Sequence, residues 1–305
     1  MPSLLKVLIL AVVQGLAELL PVSSSAHVVV AEKLLGLNPS SPEMTLVLVM
    51  LHTGTMFSVI VYFWAQWKHA YFLTKHAMQR FVVRAFWATF LTAVVGYPII
   101  EIIEHTAFKG HSKGEIEMLF SRLDLVAPAL LAAGLLILIS GLRERAAAHS
   151  ARNERPAYER SLALSGENVT FTQAGWMGAI QGLCLPFRGF SRSGATISVG
   201  LLTGANRQRA ERFSFALAVI LTPPAIAREV LRLLKASHAA PVGAAQVDLH
   251  AGVMAALLGM LFSFLAGLAA LRWLSSWLEN GRWYWFGIYC LAAGCVVFYL
   301  HHLGF

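Results

Sequence analysis

The chain has 305 residues, of which 57% are hydrophobic and only 13% charged, and its mean hydropathy is +0.63. Soluble domains carry about 25% charged residues, so a water-soluble globule is excluded and lipid is the expected solvent. The net charge of +8 comes with no zinc-finger, recognition-helix or RNA-binding signature; most basic residues fall between apolar runs, where they set topology and meet anionic lipid, and no nucleic-acid partner is expected.

The first apolar stretch, residues 4–35, is broken at Pro21-Val22-Ser23-Ser24-Ser25. No small-x-small cleavage site precedes Glu18, so Met1 to Leu20 is expected to stay in the mature protein rather than leave as a signal peptide. Uninterrupted spans of about 20 residues follow at roughly 43–65, 85–103 and 123–142. A polar linker, 143–168, leads to a second broken stretch, 172–204, interrupted at Pro186 to Gly194. Three more spans follow at roughly 213–233, 251–273 and 283–301, with a shorter linker at 236–250. Backbone that leaves the helix at membrane depth is tolerated only inside protein or beside a water-filled cavity. The expected fold is therefore an all-α integral membrane domain, with six spanning helices and two re-entrant helical hairpins.

The two broken stretches resemble each other. Gln14-Gly15-Leu16 recurs as Gln181-Gly182-Leu183, and Ser23-Ser24-Ser25-Ala26 as Ser191-Arg192-Ser193-Gly194, at offsets of 167 and 168 residues. This reads as an internal duplication: a first repeat over 1–142, the linker, and a second repeat over 169–305. Three spans lie between the copies, and an odd number inverts the second. Inverted repeats with broken helices place a polar site near the bilayer midplane. The basic segments 66–84 and 143–168 are assigned to the cytoplasm and the mixed segment 104–122 to the outside, which puts both termini outside. Arg228, Arg232 and Lys235 then fall on the outer side, against the rule.

Within the first break, Gln14 and Glu18 are four residues apart and share a helix face. Pro21 ends that helix, and Ser23 or Ser24 can cap the next, with Ser25 in its first turn and His27 one turn in. In the second break Gly189 permits a tight turn and Ser191 or Ser193 caps a new helix. Arg192 adds a planar fork of donors suited to phosphate oxygens. Two helix starts, the hydroxyls of Ser24, Ser191, Ser193 and Thr196, and one arginine describe a site for a strongly charged anion, best a phosphate or diphosphate. Glu18 and His27 add acid–base capacity, and Glu18 a metal ligand. An intramembrane carboxylate is usually functional. His52, Thr53 and Thr55 are placed at the opening of a spanning helix and read as ordinary helix residues, with a face toward the site as the second reading. Arg207, Arg209 and Arg212 are assigned to cytoplasmic headgroups, Trp273, Trp277, Trp283 and Trp285 to an interfacial belt, and Cys184, Cys290 and Cys295 to small packing positions.

The run Gln-Gly-Leu-x-Glu-x-Leu-Pro-Val-Ser-Ser-Ser-x-His at 14–27, with Gly-Phe-Ser-Arg-Ser-Gly-Ala-Thr-Ile-Ser at 189–198 and Phe-Ser-Phe-Ala-Leu-Ala at 213–218, resembles the undecaprenyl-diphosphate phosphatase family of the bacitracin-resistance type, over nearly the whole chain. The resemblance implies a multi-pass enzyme of the bacterial inner membrane that removes the terminal phosphate of undecaprenyl diphosphate, with the site open to the periplasm and a divalent cation, magnesium or calcium, as cofactor. Its partners would be the polyprenyl diphosphate lipid and the surrounding membrane lipids; a homodimer is left open. By motif position Glu18 matches the essential glutamate, Ser24 the proposed nucleophile, His27 the motif histidine and Arg192 the phosphate-binding arginine. Gln14 stands where many relatives carry a first glutamate. Pro186-Phe187-Arg188 departs from the usual proline–glycine lead-in, so that Arg188 either adds a second cation near the diphosphate or faces headgroups. The alternative reading is a transporter or flippase of a phosphorylated lipid, since inverted repeats with broken helices also build transporters.

Overall fold

Apolar segments that find no water for their backbone groups must bond them internally, and helices do so residue by residue. The computed structural model describes residues 2–38, 41–107, 123–151, 168–239 and 249–303. Among these residues there is no strand, and ten α-helices follow in order: α1 Leu4–Leu19, α2 Ser24–Leu34, α3 Pro42–Trp67, α4 Lys75–Ala107, α5 Leu123–Ala151, α6 Phe171–Cys184, α7 Arg192–Leu202, α8 Arg207–Ala239, α9 Leu249–Glu279 and α10 Trp283–His302. Six of them, α3, α4, α5, α8, α9 and α10, are long and apolar enough to cross a membrane. The protein is a multi-pass membrane protein. The other four run 16, 11, 14 and 11 residues, about 16–24 Å at 1.5 Å per residue, short of a hydrocarbon core of about 30 Å.

Several boundaries differ from expectation. The basic segment 66–84 is helical: α3 continues into a π-helical turn, Lys68–Phe72, and after a bend at 73–74 α4 starts at Lys75, ten residues earlier than expected. Likewise α5 runs on to Ala151, and α8 starts at Arg207. Polar residues do not stop a helix once it leaves the bilayer, so hydropathy marks the bilayer and not the helix end. The remainder of the linker, 152–167, most of the mixed outer segment, 108–122, residues 240–248 and the side chains of Arg232 and Lys235 lie outside the described residues.

The chain divides into two compact units. One comprises Met1–Leu20, Ser24–Tyr62 and Ala218–Leu274. Its core joins Val7, Leu10 and Ala11 of α1, Val28 of α2, Met44, Val47 and Leu51 of α3, and Ala256 of α9. Lys6 Nζ donates to Leu35 O at 2.6 Å, tying the start of α1 to the end of α2, so the pair folds back as a hairpin. This hairpin lies on α9: a Cβ on Gly15 would stand 2.6 Å from Ala266 Cβ and 2.7 Å from Ser263 O. Helix α3 lies on α9 too, where Ser263 Oγ donates to Leu51 O at 2.8 Å.

The other unit comprises Pro21–Ser23, Phe63–Leu217 and Ser275–Phe305. Thr170 and Gln173 form a capping box at the start of α6, and Gln173 Nε2 also donates to Thr203 O at 3.1 Å, closing α6–α7 as a second hairpin. It lies on α4: a Cβ on Gly182 would stand 2.8 Å from Thr92 O, and Thr92 Oγ1 donates to Gly178 O at 2.9 Å. Helix α8 also meets α4, with Phe213 edge-on to Phe81 at 6.4 Å; Phe215, from the same Phe-Ser-Phe run, stacks on Phe63 at 5.2 Å. Helices α5 and α10 pack backbone to backbone through Gly134, Gly141 and Gly287. This pair carries both chain breaks. Cys290 Sγ of α10 donates to Pro21 O at 3.3 Å, and Gly189 lies against α5, where a Cβ would stand 2.5 Å from Val126 O.

Three minor assignments are corrected. Trp283 is fully buried, with Nε1 donating to Ser140 Oγ at 3.1 Å and Ser198 Oγ at 3.0 Å, and is not a belt residue. Arg207 is tied to the Glu144 carboxylate and to Glu279 O rather than to headgroups. Cys295 is exposed, whereas Cys290 is a buried packing residue as expected.

Candidate active site

The first cluster is built by the α1–α2 hairpin and α3. Helix α1 ends at Leu19, Leu20 N donating to Leu16 O, and Pro21 prevents another turn. Ser23 then takes φ +69°, a left-handed conformation that non-glycine residues rarely adopt, and α2 begins at Ser24. This sharp return points the Ser24 side chain back at α1. Ser24 Oγ donates to Glu18 Oε2 at 2.5 Å, and the same oxygen accepts from Gln14 Nε2 at 3.2 Å. The expectation that Gln14 and Glu18 share a face holds. Ser24, offered as a helix cap, instead directs its proton to the carboxylate. Gln14 is buried and Glu18 and Ser24 half-buried; Ser25 and His27, also half-buried, sit in the first turn of α2 and Ser23 is buried.

His52 also reaches this cluster. It lies mid-way along α3 rather than at its opening, with Nε2 4.0 Å from Glu18 Oε2. Thr53 and Thr55 bond carbonyls of their own helix, Val49 O and His52 O. The pairing of His52 with Glu18 was not legible as a contact; the signal available was that an imidazole within an apolar run is itself costly.

The second cluster is built by the α6–α7 hairpin. Gly189 takes φ +104°, which a Cβ would oppose on both conformational and steric grounds. Ser191 caps α7, its Oγ accepting from Gly194 N at 3.2 Å. Arg192, half-buried, is the first residue of α7, so a permanent positive charge is carried by the residue that opens the helix, at the positive end of its dipole. Ser193 is buried and Arg188 exposed. Thr196 is fully buried, with its hydroxyl engaged by Arg192 O at 2.8 Å and by Ser214 Oγ at 2.5 Å. That hydroxyl fastens α7 to α8. A partner in Ser214, inside the Phe-Ser-Phe run, could not be read from spacing.

On the α5–α10 pair, Gly134 faces Cys290, which holds Pro21, and Ile137 faces Gly194 of α7. A hydroxyl bonded to a carboxylate is an arrangement that can supply a nucleophile and a base; an arginine at a capped helix start is one that can hold an anion.

A family model described as "Bacitracin resistance protein BacA" matches residues 7–296. The chain belongs to the BacA family. It is 53% identical over 295 residues to "Undecaprenyl-diphosphatase 2" of Acinetobacter baylyi, covering 97% of each chain. It is 34% identical to "Undecaprenyl-diphosphatase" of Desulfatibacillum aliphaticivorans, covering 96% of this chain and 97% of the relative. With "Undecaprenyl-diphosphatase 2" of Burkholderia ambifaria it shares 32% identity over 98% of this chain and 96% of the relative. In this BacA-family protein both broken hairpins and all six long helices fall within the matched residues, apart from the ends of α1 and α10.

Proposed function

We propose that this BacA-family protein hydrolyses undecaprenyl diphosphate to undecaprenyl phosphate and phosphate in the bacterial inner membrane, returning the carrier lipid to cell-wall synthesis, with its site facing the periplasm. The observation that carries the reading is the Ser24 hydroxyl aimed into the Glu18 carboxylate at 2.5 Å, in a chain whose relatives are named for this reaction.

In the proposed architecture the two hairpins are re-entrant and related by an inverted repeat. Three features support it. The helices of each hairpin are too short to span. The basal bonds of the hairpins, Lys6 to Leu35 and Gln173 to Thr203, recur at the offsets of the sequence repeat. Packing is reciprocal: the first hairpin lies on the second long helix after the second hairpin, and the second hairpin on the second long helix after the first.

In the proposed mechanism Ser24 Oγ attacks the terminal phosphorus in line. The O–P bond forms, the bridging P–O bond breaks with its electron pair leaving on undecaprenyl phosphate, and the serine proton passes to Glu18. Arg192 and the start of α7 hold the equatorial oxygens, where phosphoryl transfer needs positioning and charge neutralisation most. Ser191 and Ser193 shape that helix start, Ser23 and Ser25 that of α2. His27 assists the water that later releases phosphate from Ser24. Arg188, exposed at the second tip, meets the diphosphate as it enters.

A magnesium or calcium ion, when bound, would neutralise charge on the diphosphate. The hard oxygens of Glu18, Ser24 and Gln14 fit such an ion. The described residues contain no group of three His, Cys, Asp or Glu side chains that could hold one, so the remaining ligands would be phosphate oxygens and water. Gln14, as an amide, adds no second negative charge.

Detergent-purified protein should release phosphate from a polyprenyl diphosphate with magnesium or calcium present. No release, together with movement of the lipid across proteoliposomes, would replace the enzyme by a transporter.

A further inference from the structure

We propose that Arg80 and Arg84 of α4, with Arg212 of α8, form a phosphate-binding site beside the bend between α3 and α4, and that it takes the headgroup of an anionic phospholipid. The site uses none of the residues of the two broken hairpins and stands whether or not the protein is a phosphatase.

Residues 66–84 carry Lys68, Lys75, Arg80 and Arg84 and no aspartate or glutamate, a balance that the charge rule assigns to the cytoplasmic leaflet. Lys68, Lys75 and Arg80 are exposed, as cations that meet headgroups diffusely should be. Arg84 differs. It is half-buried where the apolar run of α4 begins, and its Nη1 is buried with no hydrogen-bond partner among the described residues. The charged and titratable groups that act on it are Arg80 and Tyr71, and neither is a carboxylate. A guanidinium nitrogen withdrawn from water without an acceptor is costly. Arg80 lies four residues earlier on the same face of α4, and like charges at that spacing repel. An anion shared by the two would supply the missing acceptor and replace the repulsion by attraction.

The third cation comes from another helix. Trp67 Nε1 donates to Arg212 O at 3.1 Å, Tyr71 stacks on Phe81 at 4.2 Å, and Phe81 meets Phe213 edge-on at 6.4 Å. The end of α3, its π-helical turn and the starts of α4 and α8 are thereby held together. Tyr71 is buried among them, and the charges of Arg84 and Arg212 both act on it. The acid next to Arg212 in the chain, Glu211, is buried and already accepts from Ser275 Oγ at 2.6 Å. Guanidinium forks suit phosphate oxygens, and the place of Arg84 at the edge of the apolar run suits a phosphate that carries acyl chains. Free phosphate has the same oxygens and no chains.

The test is native mass spectrometry of the delipidated full chain in detergent, titrated with phosphatidylglycerol, with phosphatidylcholine and with inorganic phosphate. Wild type should bind one phosphatidylglycerol about tenfold or more tighter than phosphatidylcholine. Arg84→Gln should lose about tenfold or more of that affinity. Arg80→Gln, at an exposed position, should lose about fivefold, and it carries the test if Arg84→Gln does not fold. Lys75→Gln removes the same charge from the same segment, nine residues before Arg84 and so on the opposite face of α4; it should change the affinity by less than about twofold. Equal losses from Lys75→Gln and Arg84→Gln, or equal affinity of wild type for the two lipids, would overturn the site in favour of diffuse attraction to a basic surface. Inorganic phosphate binding as tightly as phosphatidylglycerol would overturn the lipid as the occupant.

Discussion

The two hairpins are closed alike at the base and differ at the tip. In the first, the turn is made by Ser23, a side chain held at φ +69°, and the polar groups beyond it form an acid–base cluster of Glu18, Ser24 and Gln14. In the second, the turn is made by Gly189 at φ +104°, and the group beyond it is a permanent cation, Arg192. The glutamines at matching positions of the two hairpins differ as well. Gln14 donates to Glu18, whereas Gln181 donates to Thr92 Oγ1 at 3.0 Å and its buried Oε1 has no hydrogen-bond partner among the described residues. Two hairpins with the same basal closure thus carry unlike groups: a carboxylate bonded to a hydroxyl in one, a permanent cation in the other.

Arg192→Ala and Ser24→Ala should each cut phosphate release by about 10³-fold or more, with thermal unfolding and membrane insertion as in wild type; near-normal turnover in either would remove that hairpin from the chemistry. Next come the turns. Gly189→Ala sets a Cβ against Val126 O in a backbone conformation that resists it, and should cost about 2–3 kcal/mol, read as a lowered midpoint in detergent. Ser23→Gly should instead gain up to about 1 kcal/mol. Equal responses would mean that the tips are not strained differently. At the bases, Lys6→Ala loses a charge-assisted bond and should cost about 2 kcal/mol, against about 1 kcal/mol for Gln173→Ala. The smallest effect tests the amide in the first hairpin: Gln14→Glu adds ligand charge and should lower the magnesium or calcium concentration for half-maximal turnover by about threefold.

Much of this difference was visible in the chain because it is local. Pro21 marks where a helix must stop, Gly189 where the chain can turn tightly, and Gln14 and Glu18 share a face whenever residues 14–18 are helical. The partners that come from elsewhere were not visible. His52 reaches Glu18 only because α3 lies beside the first hairpin, Ser214 reaches Thr196 only because α8 crosses α7, and Trp283 is buried by two serines 143 and 85 residues away in sequence. The early start of α4 was hidden for another reason: Lys75, Arg80 and Arg84 are too polar for lipid and entirely acceptable in a helix that projects beyond it.

The contact between α5 and α10 has a consequence for an enzyme that must work in whatever bilayer it is given. With main chain against main chain at Gly134, Gly141 and Gly287, there is no compliant layer of side chains between the two helices. Thicker or thinner lipid is accommodated by tilt, and a pair so joined tilts as a single strut. Since Pro21 and Gly189 both rest on that strut, a change in membrane thickness would move these two residues as the strut moves.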